Sequence, residues 1–285
     1  MSIVTLGAVQ LNVNQNIETN LRDCGLLIKD AKNAGAEFIF TPENTDFMGQ
    51  DKVETNSKAF SENNHPGITF FSELAKSLNI WLHIGSMKVR LEHGAHKGKL
   101  ANRSFLFRNT GQLAATYDKI HLYDVDLPNQ GESHRESDSF VHGDRGVIVN
   151  TPWKRVGMSI CYDVRFPYLY REMAQKGAEI MAVPAAFTAQ TGQAHWEVLL
   201  RARAIETGSF VVAAAQVGDH PGERKTHGHT MIISPWGQIL AEHNKPSAGF
   251  ITRKVNLTDV YKVRSAIPSL THDREYEFYD IRDVG

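Results

Sequence analysis

The chain has 285 residues, of which 41% are hydrophobic and 22% are charged, so a sizeable core is possible and disordered, collagen-like and coiled-coil chains are excluded. A net charge of −1 gives no electrostatic basis for binding nucleic acid or an anionic membrane, which leaves small neutral or mildly charged molecules as partners. The first residues contain neither a basic segment nor a long apolar stretch, so we expect no signal peptide, no membrane helix and a cytoplasmic location.

The chain opens with an alternation of strands and helices. The pattern predicts a buried strand at Ile3–Val13, an amphipathic helix at Asn16–Asn33 and a second strand at Glu37–Thr41, halted by Pro42. These elements form one βαβ unit. Cys24 lies on the apolar face of the predicted helix, so we interpret it as a structural residue.

Further elements lead to a long polar segment. A helix is predicted near Thr69–Leu78, and Gly111 marks the turn of a hairpin. Strands are predicted at Ile80–Val89, Arg103–Arg108 and Leu113–Tyr117. From His121 to Arg145 the composition is polar and aperiodic, which predicts one long functional loop.

The pattern then restarts. A strand is predicted at Arg155–Cys161, a helix at Pro167–Lys176 and a strand at Ile180–Val183. Beyond them the pattern indicates a helix at His195–Thr207 and an apolar strand at Phe210–Gln216. The second half therefore has the same order of element types as the first.

Two segments of the first half recur in the second. Residues 35–42, Gly-Ala-Glu-Phe-Ile-Phe-Thr-Pro, are echoed by residues 177–184, Gly-Ala-Glu-Ile-Met-Ala-Val-Pro, and residues 104–119 align without a gap on residues 230–245. Two matches in the same order indicate two similar α/β halves. Layer packing then predicts an α/β fold, a four-layer αββα sandwich with an internal pseudo-two-fold repeat.

The two halves are expected to form a single domain over residues 1–285. A continuous core would cross the midline, and no Ser/Gly/Pro-rich linker separates the halves. From about residue 259 the chain is charged and aromatic, so we expect a C-terminal tail that packs on a neighbour or on a partner subunit.

Three residues at the ends of predicted strands suit nucleophilic chemistry. Cys161 ends an apolar run at a strand-to-helix turn, where a helix N-terminus is expected to lower the pKa of a thiol. Glu43 follows a strand whose counterpart is followed by Ala185, and Lys119 ends the first hairpin. Taken alone, Cys161 could be a packed core residue, Glu43 a helix-capping acid and Lys119 a surface lysine. Together they supply a nucleophile, a base and a cation for an oxyanion.

Three segments resemble the signatures of the nitrilase (carbon–nitrogen hydrolase) superfamily: Thr41–Asn44, Tyr117–Leu122 and Ser159–Pro167. The similarity continues through Pro184–Thr188, Ala194–Glu206 and Gly228–Thr230. The chain looks most like the Nit-type branch, which holds the deaminated-glutathione amidase and the ω-amidase. The resemblance implies hydrolysis of a terminal amide of a small 2-oxo acid with release of ammonia. It also implies no cofactor, no metal, and a homodimer or higher homo-oligomer in which sandwiches stack.

The resemblance assigns a mechanism to the three residues. Glu43 takes the thiol proton, Cys161 attacks the amide carbon, and Lys119 with the backbone N–H of Tyr162 holds the developing oxyanion. Glu43 then protonates the departing ammonia and activates the water that hydrolyses the thioester. On this view Lys119→Ala reduces turnover far more than it reduces folding stability.

The resemblance also implies a second glutamate in the loop after the lysine. Glu136 is the better match and Glu132 is the competitor. Arg165 suits a substrate carboxylate, although a structural ion pair is an equal reading. The residues expected near the substrate are Tyr162, Arg165, Phe187, Thr188, His195 and Trp196, of which the last two could instead pack beside the site.

Other functions were weighed against this one. His220, His227 and His229 have the spacing of no standard metal-ligand motif, so no metal site is predicted. A catalytically silent scaffold would be expected to lack one of the three catalytic residues, and all three are present. Nitrilases, N-carbamoyl amino acid amidohydrolases and aliphatic amidases use the same three residues, so those reactions stay open.

Overall fold

The computed structural model describes residues 2–127 and 132–280. The α-helices in this part of the chain are α1 (Ile17–Asn33), α2 (Lys52–Lys58), α3 (Pro66–Leu78), α4 (Pro167–Gln175), α5 (Ala189–Thr207) and α6 (Thr258–Ala266). The strands are β1 (Ile3–Gln10), β2 (Phe38–Phe40), β3 (Phe60–Ser61), β4 (Trp81–Arg90), β5 (Leu100–Phe107), β6 (Leu113–Asp118), β7 (Asp124–Leu127), β8 (Glu132–Arg135), β9 (Val147–Asn150), β10 (Arg155–Met158), β11 (Ile180–Ala182), β12 (Phe210–Ala213), β13 (Val217–Asp219), β14 (Lys225–His227), β15 (Thr230–Ile233), β16 (Ile239–His243) and β17 (Gly249–Asn256).

Two large sheets repeat one topology. The first has the order β17-β1-β2-β4-β5-β6, with β3 beside β4, and the second has the order β16-β15-β12-β11-β10-β9. In each sheet three central strands are parallel and the hairpin that follows them is antiparallel. Strand β17 flanks the first parallel set as β9 flanks the second. The internal repeat predicted from the sequence is confirmed.

The repeat holds at the level of single residues. The β5–β6 pairing shifts register between Leu106 and Phe107, and the β15–β16 pairing shifts between Ile232 and Ile233. Both hairpins turn on a glycine with positive φ, 83° at Gly111 and 82° at Gly237. The alignment of residues 104–119 on 230–245 therefore reports two copies of one bulged hairpin.

Side-chain alternation along the strands sorts the core into layers. In β2, Phe38 and Phe40 pack toward the second sheet, whereas Ile39 packs with Ile28 and Phe71 of the covering helices α1 and α3. Successive side chains of a strand point to opposite faces, so both faces of this sheet are buried. The four-layer αββα sandwich is confirmed, with helices α4 and α5 against the second sheet.

The long polar segment is more ordered than its composition predicts. Instead of one aperiodic loop over residues 121–145, it contains the hairpin β7–β8, within which the Arg135 guanidinium binds both carboxylate oxygens of Asp126 at 2.8 Å. Polar pairs of this kind hold a hairpin without the apolar alternation that reveals strands in a sequence. Residues 128–131 lie outside the described residues.

Other boundaries move by a few positions. Helix α5 begins at Ala189, six residues before the predicted start, because the Thr188 hydroxyl caps it by accepting from the Thr191 N–H at 3.3 Å. Strands β1, β10 and β12 each end about three residues early, where the chain turns out of the sheet. The polar segment after Gly49 also contains α2, which carries no buried side chain and therefore no apolar stripe to reveal it.

The C-terminal segment first packs on its own chain. Leu257 and Val260 are fully buried, and the Arg264 guanidinium donates to the carbonyl oxygens of Thr207 and Ala178 at 3.0 and 2.6 Å. After α6 the chain runs beside α4, whose Gln175 side chain donates to the Leu270 carbonyl at 2.9 Å. The start of the predicted tail is therefore part of the sandwich.

None of the helices in the described residues combines the length and the hydropathy needed to span a bilayer.

Candidate active site

Four side chains from distant parts of the sequence meet at one edge of the sandwich. Glu43 lies three residues beyond β2 and Cys161 three residues beyond β10, while Lys119 directly follows β6 and Glu136 directly follows β8. The carboxyl ends of parallel strands are where open α/β sheets form ligand sites. The first half supplies Glu43 and Lys119, and the second half supplies Cys161.

A glycine lets the backbones approach at this edge. A Cβ at Gly85 of β4 would lie 2.2 Å from the Thr41 carbonyl oxygen and 2.4 Å from Pro184 Cβ. No side chain fits in that space. Gly85 thus allows the strand ends that precede Glu43 and Ala185 to meet.

Lys119 is the centre of the cluster. Its ammonium Nζ donates to Glu43 Oε1 at 3.0 Å and to Glu136 Oε2 at 2.9 Å. The Lys119 side chain is 2% exposed, and the carboxylates of Glu43 and Glu136 are 3% and 13% exposed. Asn102 closes the ring, because its amide donates to Glu43 Oε1 at 2.9 Å and to Glu136 Oε1 at 3.0 Å.

Backbone groups hold the two carboxylates from their outer sides. The Ala186 N–H donates to Glu43 Oε2 at 2.9 Å, and the Gln216 side chain donates to the Glu43 carbonyl at 2.9 Å. The Tyr123 N–H donates to Glu136 Oε2 at 2.7 Å. Each carboxylate is therefore fixed by at least three donors, which is what a buried charge needs.

The charges of the cluster stabilise one another. Burial alone would raise the pKa of Glu43, but the charges of Lys119 and Arg224 and a hydrogen bond from Cys161 outweigh it and lower the pKa from 4.5 to about 2. Burial alone would lower the pKa of Lys119, but the Glu136 and Glu43 carboxylates raise it well above its usual value. At neutral pH the pair is therefore a carboxylate and an ammonium.

Cys161 lies on a tight turn with backbone φ of 50°, a conformation that costs a side-chain-bearing residue about 1–3 kcal/mol. Its N–H donates to the Pro184 carbonyl at 2.8 Å, and the preceding Ile160 N–H donates to Asp163 Oδ2 at 2.8 Å. These bonds hold the strained backbone. Tyr162 follows in the first turn of a 3₁₀ segment, where N–H groups have no partner within the helix.

The pKa of the Cys161 thiol moves opposite to the expected direction. Burial and the adjacent charge of Glu43 raise this pKa well above its usual value, and Lys119 opposes them only in part. The expected lowering at a helix N-terminus is wrong, because Cys161 begins a five-residue 3₁₀ turn and α4 begins only at Pro167. The site therefore holds a neutral thiol beside an ionised base.

Asp163, which sequence reasoning did not single out, ties the two halves together. This fully buried carboxylate accepts from the Tyr117 hydroxyl at 2.7 Å and from the His121 N–H at 3.0 Å, in addition to Ile160. Two of these partners, Tyr117 and His121, lie on either side of Lys119 in the sequence. Asp163 thereby fixes the lysine segment against the turn that carries Cys161, and only its place two residues after the cysteine signalled a role.

The predicted substrate residues fall into two groups. Tyr162 and Arg165 are partly exposed, with the Arg165 guanidinium 5.9 Å from the Tyr162 ring and 5.3 Å from the Phe187 ring. His195 is exposed, and its Nδ1 lies 3.3 Å from an Arg165 nitrogen. This group forms a partly exposed wall.

The other two are internal. Trp196 is 1% exposed, donates its indole N–H to the His229 carbonyl at 2.9 Å and packs on Phe187, with ring centres 4.7 Å apart. The Thr188 hydroxyl is engaged in capping α5. Trp196 therefore forms the layer behind the site rather than its surface.

The three histidines that were considered as metal ligands make separate contacts of their own. His220 is buried, with Nδ1 2.8 Å from the Val13 carbonyl and Nε2 2.7 Å from the Thr226 hydroxyl. His227 and His229 stack with ring centres 4.3 Å apart, and His229 Nδ1 lies 2.6 Å from Glu242 Oε1. Over the described ranges, no cluster of three or more potential ligands has the geometry of a metal site.

The depressed pKa of Glu43 predicts a specific loss of stability in acid. A carboxylate with a folded pKa of about 2 and an unfolded pKa near 4.5 stabilises the fold above pH 4.5, and this contribution disappears as the pH falls toward 2. We expect the unfolding free energy of the wild type to fall more steeply between pH 5 and pH 2.5 than that of Glu43→Gln, as measured by urea denaturation. Glu73→Gln, on the exposed face of α3, is the control. Parallel curves for wild type and Glu43→Gln would contradict the assignment.

Comparisons with known proteins show which families and structures this chain is similar to. The family model described as carbon-nitrogen hydrolase matches residues 5–265. A deaminated glutathione amidase of Yersinia enterocolitica is 37% identical over 274 residues, covering 96% of this chain and 94% of that protein. The deaminated glutathione amidase of Bos taurus is 38% identical over 93% of this chain and 80% of that protein.

Solved structures agree with these matches. The C. elegans NitFhit protein superposes with a TM-score of 0.88 at 33% identity, over 96% of this chain and 66% of its own length. Saccharomyces cerevisiae Nit3, a member of branch 10 of the nitrilase superfamily, superposes with a TM-score of 0.83 at 26% identity, over 96% of this chain and 97% of its own.

Proposed function

We propose, since the chain belongs to the carbon–nitrogen hydrolase family, that it hydrolyses an amide of a small 2-oxo acid, of the deaminated glutathione or ω-amide type, through a cysteine thioester. The observation that carries the proposal is the buried ring of Glu43, Lys119 and Glu136 beside Cys161. The deaminated glutathione amidases matched above supply the substrate class.

Acylation follows from the protonation states of the pair. Glu43 is ionised and Cys161 is a neutral thiol, so Glu43 removes the thiol proton as sulfur attacks the amide carbon. The negative charge that develops on the amide oxygen is held by Lys119 Nζ and by the Tyr162 N–H. Glu43 then passes its proton to the leaving nitrogen, the carbon–nitrogen bond breaks, and a thioester on Cys161 remains.

Deacylation uses the same base. Glu43 is again ionised once the amine has left, and it removes a proton from the water that attacks the thioester carbon. The carbon–sulfur bond breaks, the acid is released and the thiol regains its proton. Hydrogen bonds from Ala186 and Asn102 hold the Glu43 carboxylate in place, so it can act in both steps without moving.

Glu136 acts as a positioning residue in this scheme. Its carboxylate holds Lys119 from the side opposite Glu43 and is itself held by the Tyr123 N–H. Lys119 is thereby held by two carboxylates, at a place where its charge acts on the Cys161 thiol. The alternative glutamate, Glu132, begins β8, and its side chain lies outside the described residues.

A substitution at Glu136 tests that role. Glu136→Gln keeps the shape of the side chain but removes one of the two carboxylate charges that contact Lys119. We therefore expect kcat to fall by about tenfold to a hundredfold, with a smaller change in KM. Steady-state kinetics on 2-oxoglutaramate measures the effect. Glu132→Gln is the matched control on the same hairpin and should retain near-normal turnover. Full activity of Glu136→Gln with loss of activity in Glu132→Gln would reverse the assignment.

The acyl part of the substrate is expected to lie against the partly exposed side chains of Arg165 and Tyr162, beside the buried ring of Phe187. A 2-oxo acid carries a carboxylate, and the planar guanidinium of Arg165 can bind it through two parallel hydrogen bonds. Among the described residues, the Arg165 guanidinium has no carboxylate oxygen within 4.0 Å, so its charge is available. This supports a substrate carboxylate over a structural ion pair.

A substrate panel tests the proposed function. It contains deaminated glutathione, 2-oxoglutaramate, an N-carbamoyl amino acid, a simple aliphatic amide and a nitrile, with both ammonia and released amine quantified, because an ω-amide releases ammonia and a peptide amide releases an amine. We expect the two 2-oxo acids to be preferred. Preference for the nitrile or the carbamoyl compound would select another reaction of the family, and no turnover with any compound would favour a silent scaffold subunit.

We also propose a homodimer or higher homo-oligomer. Val198 and Ile205 on the outer face of α5 are 67% and 55% exposed, and the nearby Trp236 is 58% exposed. Tyr276 and Phe278 of the C-terminal tail are 75% and 90% exposed, which supports packing of the tail on a partner subunit. Sedimentation equilibrium tests this, since a 31.9 kDa species at all concentrations would contradict it. The cytoplasmic location stays a prediction from the sequence.

A further inference from the structure

Arg224 lies at the end of the site that holds Glu43. It directly precedes β14, and this strand runs along the segment that follows β11, with the His227 N–H donating to the Phe187 carbonyl at 3.0 Å. Arg224 Nη2 donates to the Ala186 carbonyl at 3.3 Å, and the Ala186 N–H donates to Glu43 Oε2 at 2.9 Å. The guanidinium and the catalytic carboxylate are therefore joined through a single residue.

The guanidinium has unused binding capacity. Its Nε–H is buried and has no acceptor among the described residues, and no carboxylate of that part of the chain lies within 4.0 Å of it. The two buried lysines near Glu43 are paired, Lys119 with Glu43 and Glu136 and Lys88 with Asp46, whereas Arg224 is partly exposed. A buried donor without an acceptor carries a free-energy cost that a bound ligand can remove.

The mechanism determines which part of the substrate reaches this arginine. Glu43 gives its proton to the leaving nitrogen, so the leaving group lies on the Glu43 side of Cys161. That is the side on which Arg224 contacts Ala186. Arg165 lies instead over the rings of Tyr162 and Phe187, on the side assigned to the acyl group. On this scheme Arg224 belongs to the leaving-group side of the site and Arg165 to the acyl side.

We propose that Arg224 binds a carboxylate carried by the leaving group, and that it selects amides of carboxylate-bearing peptides over simple ω-amides. This rests on the proposed function. Deaminated glutathione keeps its glycine carboxylate on the leaving peptide, whereas an ω-amide that releases ammonia has no carboxylate on that side. An arginine fork suits a terminal carboxylate because two N–H groups can meet its two oxygens.

The test compares two substrates that differ only in this carboxylate, together with a third whose leaving group is ammonia and carries no carboxylate. The substrates are deaminated glutathione, its C-terminal glycinamide derivative, and 2-oxoglutaramate. For the wild type we expect kcat/KM to be at least tenfold higher for the free acid than for the glycinamide. Arg224→Met should reduce that ratio to less than twofold, mainly through KM, and should lower kcat/KM for the free acid at least fivefold more than kcat/KM for 2-oxoglutaramate.

Two further variants keep the test decisive. Lys225→Met removes a positive charge from the adjacent, exposed position of the same hairpin and should discriminate as the wild type does. Arg224→Lys keeps the charge without the fork and should recover part of the discrimination, with folding of each variant checked by thermal unfolding.

Each outcome separates the two claims. Wild-type discrimination in Arg224→Met overturns the inference. An equal loss on all three substrates also overturns it, since Arg224 would then act through Glu43. If the wild type hydrolyses none of the three substrates, the proposed function fails and the inference falls with it. If the wild type hydrolyses them without preferring the free acid, only the inference fails.

Discussion

Replacing Cys161 with alanine is expected to reduce amide hydrolysis by on the order of 10⁴-fold or more while leaving the fold intact. Alanine should keep the backbone conformation of this turn, with φ of 50°. The hydrogen bonds that hold it, from the Ile160 N–H and from the N–H of residue 161 to the Pro184 carbonyl, do not involve the sulfur. Without sulfur no thioester can form. Mass spectrometry after rapid quenching should show an acyl adduct on the wild type and none on Cys161→Ala.

The other cysteine is the control. Cys24 lies on the buried face of α1 and is fully buried, and burial raises the pKa of its thiol far above the usual range. Cys24→Ala should therefore reduce the free energy of unfolding by about 1 kcal/mol and leave turnover near normal. An adduct that persists in Cys161→Ala, or that is absent from the wild type during turnover, would contradict the nucleophile assignment.

Replacing Lys119 with methionine is expected to affect both catalysis and stability. Removing the cation leaves Glu43 and Glu136 facing each other in a buried ring with no neutralising charge, which should destabilise the fold by about 3–5 kcal/mol. Loss of the oxyanion donor should lower kcat by about 10³-fold. Urea denaturation and steady-state kinetics measure the two effects separately.

This expectation revises the one drawn from the sequence, in which substitution of Lys119 reduces turnover far more than it reduces folding stability. The internal repeat offers a matched control, because Lys245 occupies the equivalent hairpin position and is exposed. Lys245→Met should change neither stability nor turnover appreciably. Near-normal turnover in a folded Lys119→Met protein would remove the lysine from the mechanism. Unchanged stability would mean that the two carboxylates find protons or other partners.

The internal repeat explains why two similar halves together form only one set of Glu43, Lys119 and Cys161. Strand registers equate Phe38 with Ile180 and Leu6 with Val156, and the hairpin alignment equates the two lysines. The positions equivalent to Glu43, Lys119 and Cys161 are then Ala185, Lys245 and Leu11. The second half lacks the acid and the first half lacks the cysteine at the equivalent positions, so the proposed catalytic set forms between the two halves rather than within either one.

Much of the architecture was determined by local pattern. Strands such as β2 and β11 are short apolar runs that end at a proline, and a strand buried on both faces must be continuously apolar, so the sequence alone reveals it. The echo between residues 104–119 and 230–245 predicted two equivalent hairpins, including their glycine turns. The hairpin β7–β8 was not predicted, because its strands are polar and lack the alternation of apolar and polar residues that reveals a strand in a sequence.

The sequence determined which residues form the proposed catalytic set, through three motifs in a fixed order. Only the tertiary structure decided the state of those groups. The pKa of Cys161 rises and that of Glu43 falls because burial and charge pairing act between residues more than 70 positions apart. The roles of Asn102, Asp163 and Arg224 emerged in the same way. Coulomb energy and desolvation depend on distance in space, and no spacing along the chain encodes that distance.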